Sequence, residues 1–214
     1  GSALGHASMI RYSAEVIVIG AGIAGVSAAI ELLARNRRVL LLDRDVEANL
    51  GGLAKESFGG LWFAGTPLQR RYGIQDGVQQ GLADWHAFAE FGPDDHWPRA
   101  WAEAYVQRCI PEIYDWLRNI GVQFMPMPLW VERGLHTPGN SVPRWHIVWG
   151  TGHELAVVLN QHLRSRPNVE RLQVACEHRG ESLVSSDGRV TGCRGVLEGT
   201  GQEFEAKAES VIVA

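Results

Sequence analysis

The 214-residue sequence is 45% apolar and 21% charged, with a formal net charge of −4, a balance typical of a folded globular chain. The small negative charge and the lack of a lysine or arginine cluster exclude a nucleic-acid groove, which needs a concentrated basic face. Three widely spaced cysteines outside any C-x-x-C motif predict no disulfide framework, no metal site and a reducing, cytoplasmic location.

The start of the chain carries little fold information. Residues 1–8 are mostly small and lack the apolar stretch of a signal peptide, so we interpret them as a vector-derived remnant. Residues 16–33 are largely apolar, but Glu31, the glycines among them and a length below the roughly 20 residues of a span argue against a membrane helix. No membrane span is therefore expected.

Residues 14–43 predict a strand, a glycine turn, a helix and a second strand. Residues 15–19 are apolar and β-branched after the first position, as a strand buried on both faces must be. Residues 20–25 give the G-x-G-x-x-G spacing: a tight turn, a close approach to a pyrophosphate, and helix packing on the strand. A helix is predicted from Ala24 to about Asn36, and the strand Val39–Leu42 leads to Asp43, placed to bind a ribose hydroxyl. The pattern predicts a dinucleotide site.

Two Gly-Gly pairs, Gly51-Gly52 and Gly59-Gly60, follow soon after the acid and leave room for a second cofactor segment. At this point the chain resembles the flavoprotein family of fumarate reductases, succinate dehydrogenase flavoprotein subunits and 3-ketosteroid dehydrogenases. Residues 130–134, 141–146 and 149–152 continue the resemblance. The resemblance favours FAD over NAD. A simple NAD-binding domain is the alternative, and its weakness is that such a domain does not require this glycine loop.

The motif and the resemblance together imply a set of cofactor-binding positions. These are Gly20, Ala21, Gly22, Ile23, Ala24, Gly25, Asp43, Arg44, Gly51, Gly52, Leu53, Ser57, Gly59, Gly60, Gly180 and Ala214. Relatives with covalent FAD have a histidine in the loop before the second glycine pair, whereas residues 49–58 contain none. The flavin is expected to be noncovalent.

The resemblance runs from about Ser13 to the last residue and implies that the family continues beyond it. There, the last strand leads into a Thr-Gly-Gly turn, and a substrate-capping domain and the rest of the FAD domain follow. We therefore expect an N-terminal part of such an enzyme: a fragment, a split subunit or a truncated product. A second chain, or self-association, is expected to cover the surface of the missing domain.

The predicted fold class is α/β: an incomplete Rossmann-like, glutathione-reductase-type FAD domain with a parallel sheet. We divide it into a dinucleotide-binding half-unit at 9–75, a helical insert at 76–150, and a helix with a small antiparallel β-meander at 151–214. Strands of this last block are predicted at 170–177, 180–185, 189–198, 202–208 and 210–214. All eight tryptophans lie in residues 62–149. Helices are predicted at 76–91 and 94–120, the second interrupted at Pro111, with an aromatic stripe that more often marks a core.

Candidate catalytic residues are few. His153-Glu154 begins an H-E-x-x-H pattern, but Val157 occupies the second histidine position, so no zinc pair is formed. Arg144 and His146 are weak candidates for binding a carbonyl or moving a proton, although flanking tryptophans favour a structural histidine.

The predicted function is an FAD-dependent dehydrogenase or reductase. Hydride would pass between an activated carbon–carbon bond of a small organic or steroid-like substrate and flavin N5. This chain alone is expected to be inactive. The alternative is a noncatalytic FAD-binding fragment or subunit that requires a partner chain.

Overall fold

The computed structural model describes residues 8–214, which form two compact units. Unit 1 comprises the described residues up to Lys55 together with Ala156–Ala214, and unit 2 is Glu56–Leu155. Apart from Ser8, the predicted remnant at residues 1–8 lies outside the described residues. The division into three blocks with boundaries near residues 75 and 150 stays a prediction.

The helices and strands follow one another in a mixed α/β order. They are β1 (Ile10–Ser13), β2 (Val16–Ile19), α1 (Ile23–Ala34), β3 (Val39–Leu42), β4 (Gly60–Trp62), α2 (Pro67–Arg71), α3 (Val78–Ala89), α4 (His96–Arg108), α5 (Asp115–Asn119), β5 (Trp145–Ile147), α6 (Thr151–Arg164), β6 (Leu172–Ala175), β7 (His178–Ser186), β8 (Arg189–Leu197), β9 (Glu203–Lys207) and β10 (Ser210–Val213). Short 3₁₀ turns lie at Glu47–Asn49, Gly52–Glu56 and Val169–Arg171.

A four-stranded parallel sheet in the order β10-β2-β3-β6 is the centre of unit 1. The side chains of β3 are buried throughout, which explains why its sequence is continuously apolar. Because the strands are parallel, Gly20, Asp43 and Ala214 follow their strands at the same carboxyl edge. Ligands of open α/β sheets bind in the crevice outside this edge.

A second sheet in unit 1 has the order β1-β9-β8-β7. Strands β7, β8 and β9 form the predicted antiparallel meander, and β7 turns into β8 at Asp187-Gly188, where both φ angles are positive (52° and 74°) as in a type I′ turn. Phe204 and Cys193 of this sheet pack in one buried cluster with Leu40 and Leu42 of the parallel sheet. Burial raises the pKa of the Cys193 thiol to about 11.

Two features of unit 1 differ from the sequence prediction. Strand β1, parallel to β9, was missed because four residues that alternate between half-buried and exposed give only a weak pattern. The strand predicted at 170–177 belongs to the parallel sheet, since β6 pairs with β3 rather than with the meander. Helix α6 precedes β6 and supplies the crossover that a parallel pairing requires.

Unit 2 is helical around an aromatic core, with β4 and β5 as an antiparallel pair. Phe63 is fully buried and contacts the rings of Tyr114 and Phe124 edge to face. The predicted interruption at Pro111 is confirmed: a π-helical turn, Cys109–Tyr114, separates α4 from α5. Proline has no N–H to donate to the preceding turn, so the helix widens there.

The predicted aromatic stripe is only partly core. Leu117 is buried, whereas Trp97 and Trp101 on α4 are 70% and 74% exposed. The stripe therefore leaves two indole rings on the surface of unit 2, which burial statistics alone did not predict.

Within residues 8–214, no helix is long and apolar enough to cross a bilayer. Over the same range, no three histidine, cysteine or acidic side chains gather in a way that could hold a metal ion.

Candidate dinucleotide site

Two glycines of the turn after β2 are required by close packing. Gly20 has a φ of +103°, and a Cβ there would overlap the carbonyl oxygen of Ala214. A Cβ on Gly25 would overlap the carbonyl oxygen of Gly20. Gly25 therefore lets α1 begin directly against the end of β2, as the third glycine of the motif should.

Gly22 differs from both neighbours in the motif because the space beside it is open. It precedes α1 with a φ of −71°, and a Cβ built on it meets no atom within 4 Å. The first backbone N–H groups of α1 point out of its N-terminal end and have no acceptor within the helix. No side chain caps them. Open space in front of unpaired N–H groups and the positive end of a helix dipole suits a phosphate oxygen.

The first Gly-Gly pair lies directly beside this opening. Gly51 forms a parallel β-bridge with Gly22, and its N–H donates to the carbonyl of Ala21 at 2.9 Å. Gly52 has a φ of +60°, and a Cβ on it would lie 3.1 Å from the Cα of Gly22. The two glycine segments thus form one backbone cradle with few side chains, while the next residue, Leu53, is 87% exposed.

Asp43, the acid after β3, is hydrogen-bonded to the glycine turn. Its carboxylate accepts the backbone N–H of Ala21 at 2.7 Å and that of Asp45 at 2.8 Å, on different oxygens. The side chain is half-buried, and each oxygen keeps a second lone pair for a hydroxyl donor. Arg44 is exposed and pairs with Glu198 at 3.0 Å.

A row of hydrogen-bonded polar side chains in the same loop was not identified from the sequence. The ammonium of Lys55 donates to Asn49 Oδ1 at 2.9 Å, and Asn49 Nδ2 donates to Asp45 Oδ1 at 3.1 Å. These bonds join the loop after Asp43 to the 3₁₀ turn that contains Gly52. No short motif marks such a chain, since its members are four and six residues apart in irregular backbone.

Gly180 reaches the same part of unit 1 from the meander. A Cβ on Gly180 would lie 3.3 Å from Cγ2 of Ile19, the last residue of β2. Two residues earlier, the N–H of His178 donates to the carbonyl of Asp43 at 2.9 Å. Glycine at position 180 therefore allows the meander to pass close to the end of the parallel sheet.

The second glycine pair lies in unit 2. Gly59 has a φ of +68°, and a Cβ there would lie 2.6 Å from the backbone nitrogen of Gly152. A Cβ on Gly60 would overlap the indole ring of Trp145. Ser57 accepts the N–H of Gly59 on its hydroxyl at 3.1 Å and the N–H of Gly152 on its carbonyl at 3.0 Å. Backbone pairing with residues 148–152 thus requires glycine at position 59, and packing against the ring of Trp145 requires it at position 60.

Arg144 is fully buried in unit 2 and is bound to protein groups on every side. Its Nε and Nη2 donate to the two oxygens of Asp76 at 2.7 and 2.8 Å, and Nη1 donates to Asp84 and to Asn140. The guanidinium also lies 5.1 Å from the ring centre of Trp62. Burial opposes the charge, but the two carboxylates outweigh it and raise the pKa of Arg144.

Sequence reasoning selected Arg144 but missed its partners, Asp76 and Asp84. The available signal was physical: an arginine inside an apolar segment needs a counter-charge. Burial opposes ionisation of Asp84, yet hydrogen bonds from Ser141 and Arg144 outweigh it and lower the pKa of its carboxyl.

His146 is also fully buried. Its Nδ1 lies 2.8 Å from the carbonyl of Arg144, which can only accept, so Nδ1 carries the proton. Nε2 then accepts from the hydroxyl of Thr66 at 2.8 Å, and that hydroxyl caps α2 by accepting the N–H of Gln69. Burial lowers the pKa of His146, which favours the neutral ring. Both of its nitrogens are committed to holding unit 2 together.

The geometry of unit 1 can be compared with known proteins. The sequence pattern of the FAD binding domain family matches residues 15–214. The chain belongs to this family. FAD is therefore the dinucleotide of this domain, as the glycine content of the loop after Asp43 predicted, and the NAD alternative loses its basis.

Curated relatives of this FAD binding domain include a KsdD-like steroid dehydrogenase of Mycolicibacterium smegmatis, 43% identical over 218 residues. The match covers 94% of this chain and 39% of the relative. A KsdD-like steroid dehydrogenase of Mycobacterium tuberculosis is 43% identical over 219 residues, with 94% and 38% covered. The chain thus spans about two fifths of the length of these relatives.

Solved structures of the same fold include a 3-ketosteroid-Δ4-(5α)-dehydrogenase from Rhodococcus jostii RHA1 in complex with 4-androstene-3,17-dione. It is 26% identical with a TM-score of 0.77, and the match covers 99% of this chain and 47% of that one. A flavocytochrome c3 fumarate reductase has a TM-score of 0.77 at 22% identity, covering 94% and 33%. The second likeness concerns the fold alone, and it confirms the predicted α/β class with its parallel sheet.

The residues of unit 1 fit the dinucleotide part of FAD. The cradle between Gly22 and Gly52 has space that a side chain at either position would fill, and unpaired N–H groups border it. Asp43 supplies an acceptor at the adjacent strand end. Open backbone, N–H donors and one carboxylate are the groups that a pyrophosphate and a ribose need.

Proposed function

We propose that unit 1 holds the ADP part of FAD. The pyrophosphate would lie on the N-terminus of α1, against Gly22, with backbone of Ile23 and Ala24 as donors. Asp43 would accept hydrogen bonds from the ribose hydroxyls. The observation that carries this assignment is the open space at Gly22. The glycines on either side of it, Gly20, Gly25 and Gly51, are instead required by close packing.

The other predicted cofactor positions take supporting roles in this proposal. Gly51, Gly52 and Leu53 form the second side of the cradle, and Gly180 with Arg44 lies toward the adenosine. Ser57, Gly59 and Gly60 shape the loop in unit 2 for the remaining part of the cofactor. Ala214 adjoins Gly20, and the flavin is held noncovalently because residues 49–58 contain no histidine.

We further propose that the complete protein is an FAD-dependent oxidoreductase acting on a steroid-like ketone. Support comes from the curated relatives, whose names describe steroid dehydrogenases, and from the Rhodococcus structure with its bound 4-androstene-3,17-dione. Bound flavin supplies the ability to take or give a hydride at N5. This chain's own contribution would be to bind and orient the cofactor, since Arg144 and His146 are committed to structural contacts.

An assay with substrate distinguishes this function from its alternative, a noncatalytic FAD-binding subunit. The chain would be loaded with FAD and mixed with 4-androstene-3,17-dione and an electron-accepting dye. We expect no dye reduction by this chain alone, and reduction once the remaining length of the protein is present. Dye reduction by this chain alone would refute the expected inactivity, and no reduction by the longer protein would refute the oxidoreductase assignment.

A cytoplasmic location remains part of the proposal. Cys109, Cys176 and Cys193 are free thiols, and two of them are buried. Thiols are maintained in a reducing compartment. The proposal also includes a second polypeptide, or self-association, that covers surface beyond this chain; sedimentation of the purified chain as a monomer would contradict self-association.

A further inference from the structure

Unit 2 contains a cavity of about 320 Å³ with an aromatic lining. Its lining includes the aromatic residues Trp62, Trp85, Phe88 and Trp145 together with the acidic residues Asp84 and Glu132. Among residues 8–214, no lysine or arginine contributes to the lining. The cavity thus combines flat π faces with negative charge, which is the composition of sites that bind organic cations.

The carboxylate of Asp84 still has acceptor capacity at this cavity. Arg144 and both the N–H and the hydroxyl of Ser141 all donate to Oδ2, the Ser141 bonds being 2.7 Å long. No described hydrogen bond uses Oδ1 of Asp84. The side chain is 14% exposed, and Oδ1 is not among the fully buried atoms that lack a partner, so this oxygen is accessible.

The buried ion cluster around Asp84 carries a net charge of −1. Arg144 is the one cation that the structure places between Asp76 and Asp84, and it uses two of its nitrogens on Asp76. Side chains of Asp76 and Arg144 are fully buried, so the excess charge is weakly screened by water. Glu132, exposed at the same cavity, adds a second negative charge.

Two of the aromatic rings at the cavity, those of Trp62 and Trp85, are held in place by other groups. Trp62 donates its indole N–H to Asn140 at 2.9 Å and packs edge to face on Trp85 at a centroid distance of 5.1 Å. The guanidinium of Arg144, 5.1 Å from the ring centre of Trp62, also contacts this ring. Rings fixed in this way can receive a cation without first being ordered.

We propose that this cavity binds an organic cation with apolar substituents, such as an alkylated ammonium group. Its charge would face Asp84 Oδ1 and Glu132, and its alkyl groups would contact the indole and phenyl faces. A bare divalent metal ion would find too few oxygen ligands among these walls. A neutral apolar molecule would displace water from Asp84 without compensating its charge.

A pair of isosteric probes tests the proposal. Choline and 3,3-dimethylbutan-1-ol have the same shape, but only choline carries a charge. Binding to the full chain is followed by isothermal titration calorimetry and by tryptophan fluorescence. We expect choline to bind at least about tenfold more tightly, and addition of salt to weaken it. Equal binding of the two probes, or no binding of choline, would overturn the proposal.

Two variants at the rim test the cavity without disturbing the buried cluster. Glu132→Gln and Phe88→Leu should each weaken choline binding by about three- to tenfold. The matched control is Glu112→Gln, an exposed carboxylate of unit 2 that pairs with Arg108 and does not line the cavity. Unchanged choline affinity in both rim variants, or an equal loss in the control, would refute binding at this cavity.

Discussion

The three glycines of the turn after β2 have different physical roles, as the motif assigns them. Gly20 and Gly25 are required by the protein's own packing, since a Cβ on either would overlap a carbonyl oxygen. Gly22 is not required in this way, because nothing lies within 4 Å of the position of its Cβ. We therefore propose that glycine at position 22 leaves room for the cofactor, so that a substitution there should affect binding rather than folding.

Gly22→Ala should lose FAD binding while the fold is retained. The backbone at Gly22, with a φ of −71°, is open to alanine, so the free energy of unfolding should stay equal or rise by about 0.4–1 kcal/mol. The methyl group would occupy the phosphate space and weaken FAD binding by at least about tenfold. Flavin fluorescence titration and thermal unfolding measure the two effects. Gly199→Ala, another open position, is the control, and normal FAD affinity in Gly22→Ala would contradict the cradle.

Asp43→Ala should weaken FAD binding by about 1–3 kcal/mol, or about 5- to 150-fold, through loss of a ribose acceptor. The variant also removes the acceptor for the N–H of Ala21, so some loss of stability in the absence of FAD is expected. Affinity is therefore measured by titration at a temperature where both proteins are folded. Wild-type affinity in this variant would mean that the ribose is held elsewhere.

At the scale of the element, His146 links β5 to the first turn of α2. It accepts from Thr66, whose hydroxyl and backbone form a capping box with Gln69. Sequence reasoning could identify a structural histidine from its apolar neighbours, but not this partner, which is 80 residues away. Long-range partners of buried polar groups are fixed by the fold and leave no local pattern.

The buried His146 should make the stability of the chain dependent on pH. Burial lowers its pKa in the folded state, so below about pH 6.5 the unfolded chain binds a proton that the folded chain resists. Its contribution is fully present above the unfolded pKa and is lost as the pH falls toward the folded pKa. Unfolding free energy should fall by up to about 1.4 kcal/mol per pH unit there. Urea unfolding of wild type and His146→Gln between pH 7.5 and 5.5 tests this, and equal slopes would contradict it.

Strands that are buried on both faces were predictable from the sequence, and half-buried edge strands were not. β2 and β3 are continuous apolar segments on either side of a glycine motif and a helix, so the sequence predicted both as strands in this order. β1 alternates weakly over four residues. For β6 the strand was recognised but its sheet was not, because pairing with β3 depends on the path of α6.

At the scale of the whole molecule, the positions of the glycine turns and of Asp43 were predictable because each depends on residues next to it in the sequence. The glycines allow tight turns, and Asp43 directly follows an apolar strand. The counter-charges of Arg144 and the cavity beside Asp84 were not, since they depend on side chains brought together from parts of the chain that are about 60 to 80 residues apart. The chain spans about 39% of the length of a curated relative, and the role that we propose for it is cofactor binding.

The most direct test of this account is the visible absorption spectrum of the purified chain after incubation with FAD and desalting. We expect the two flavin bands to remain with the protein and to be released by denaturation, which would show noncovalent binding by this chain. Gly22→Ala treated in the same way should be colourless. A colourless, folded wild-type chain that takes up no FAD would contradict the claim that the cradle beside Gly22 and the acid at Asp43 hold the cofactor.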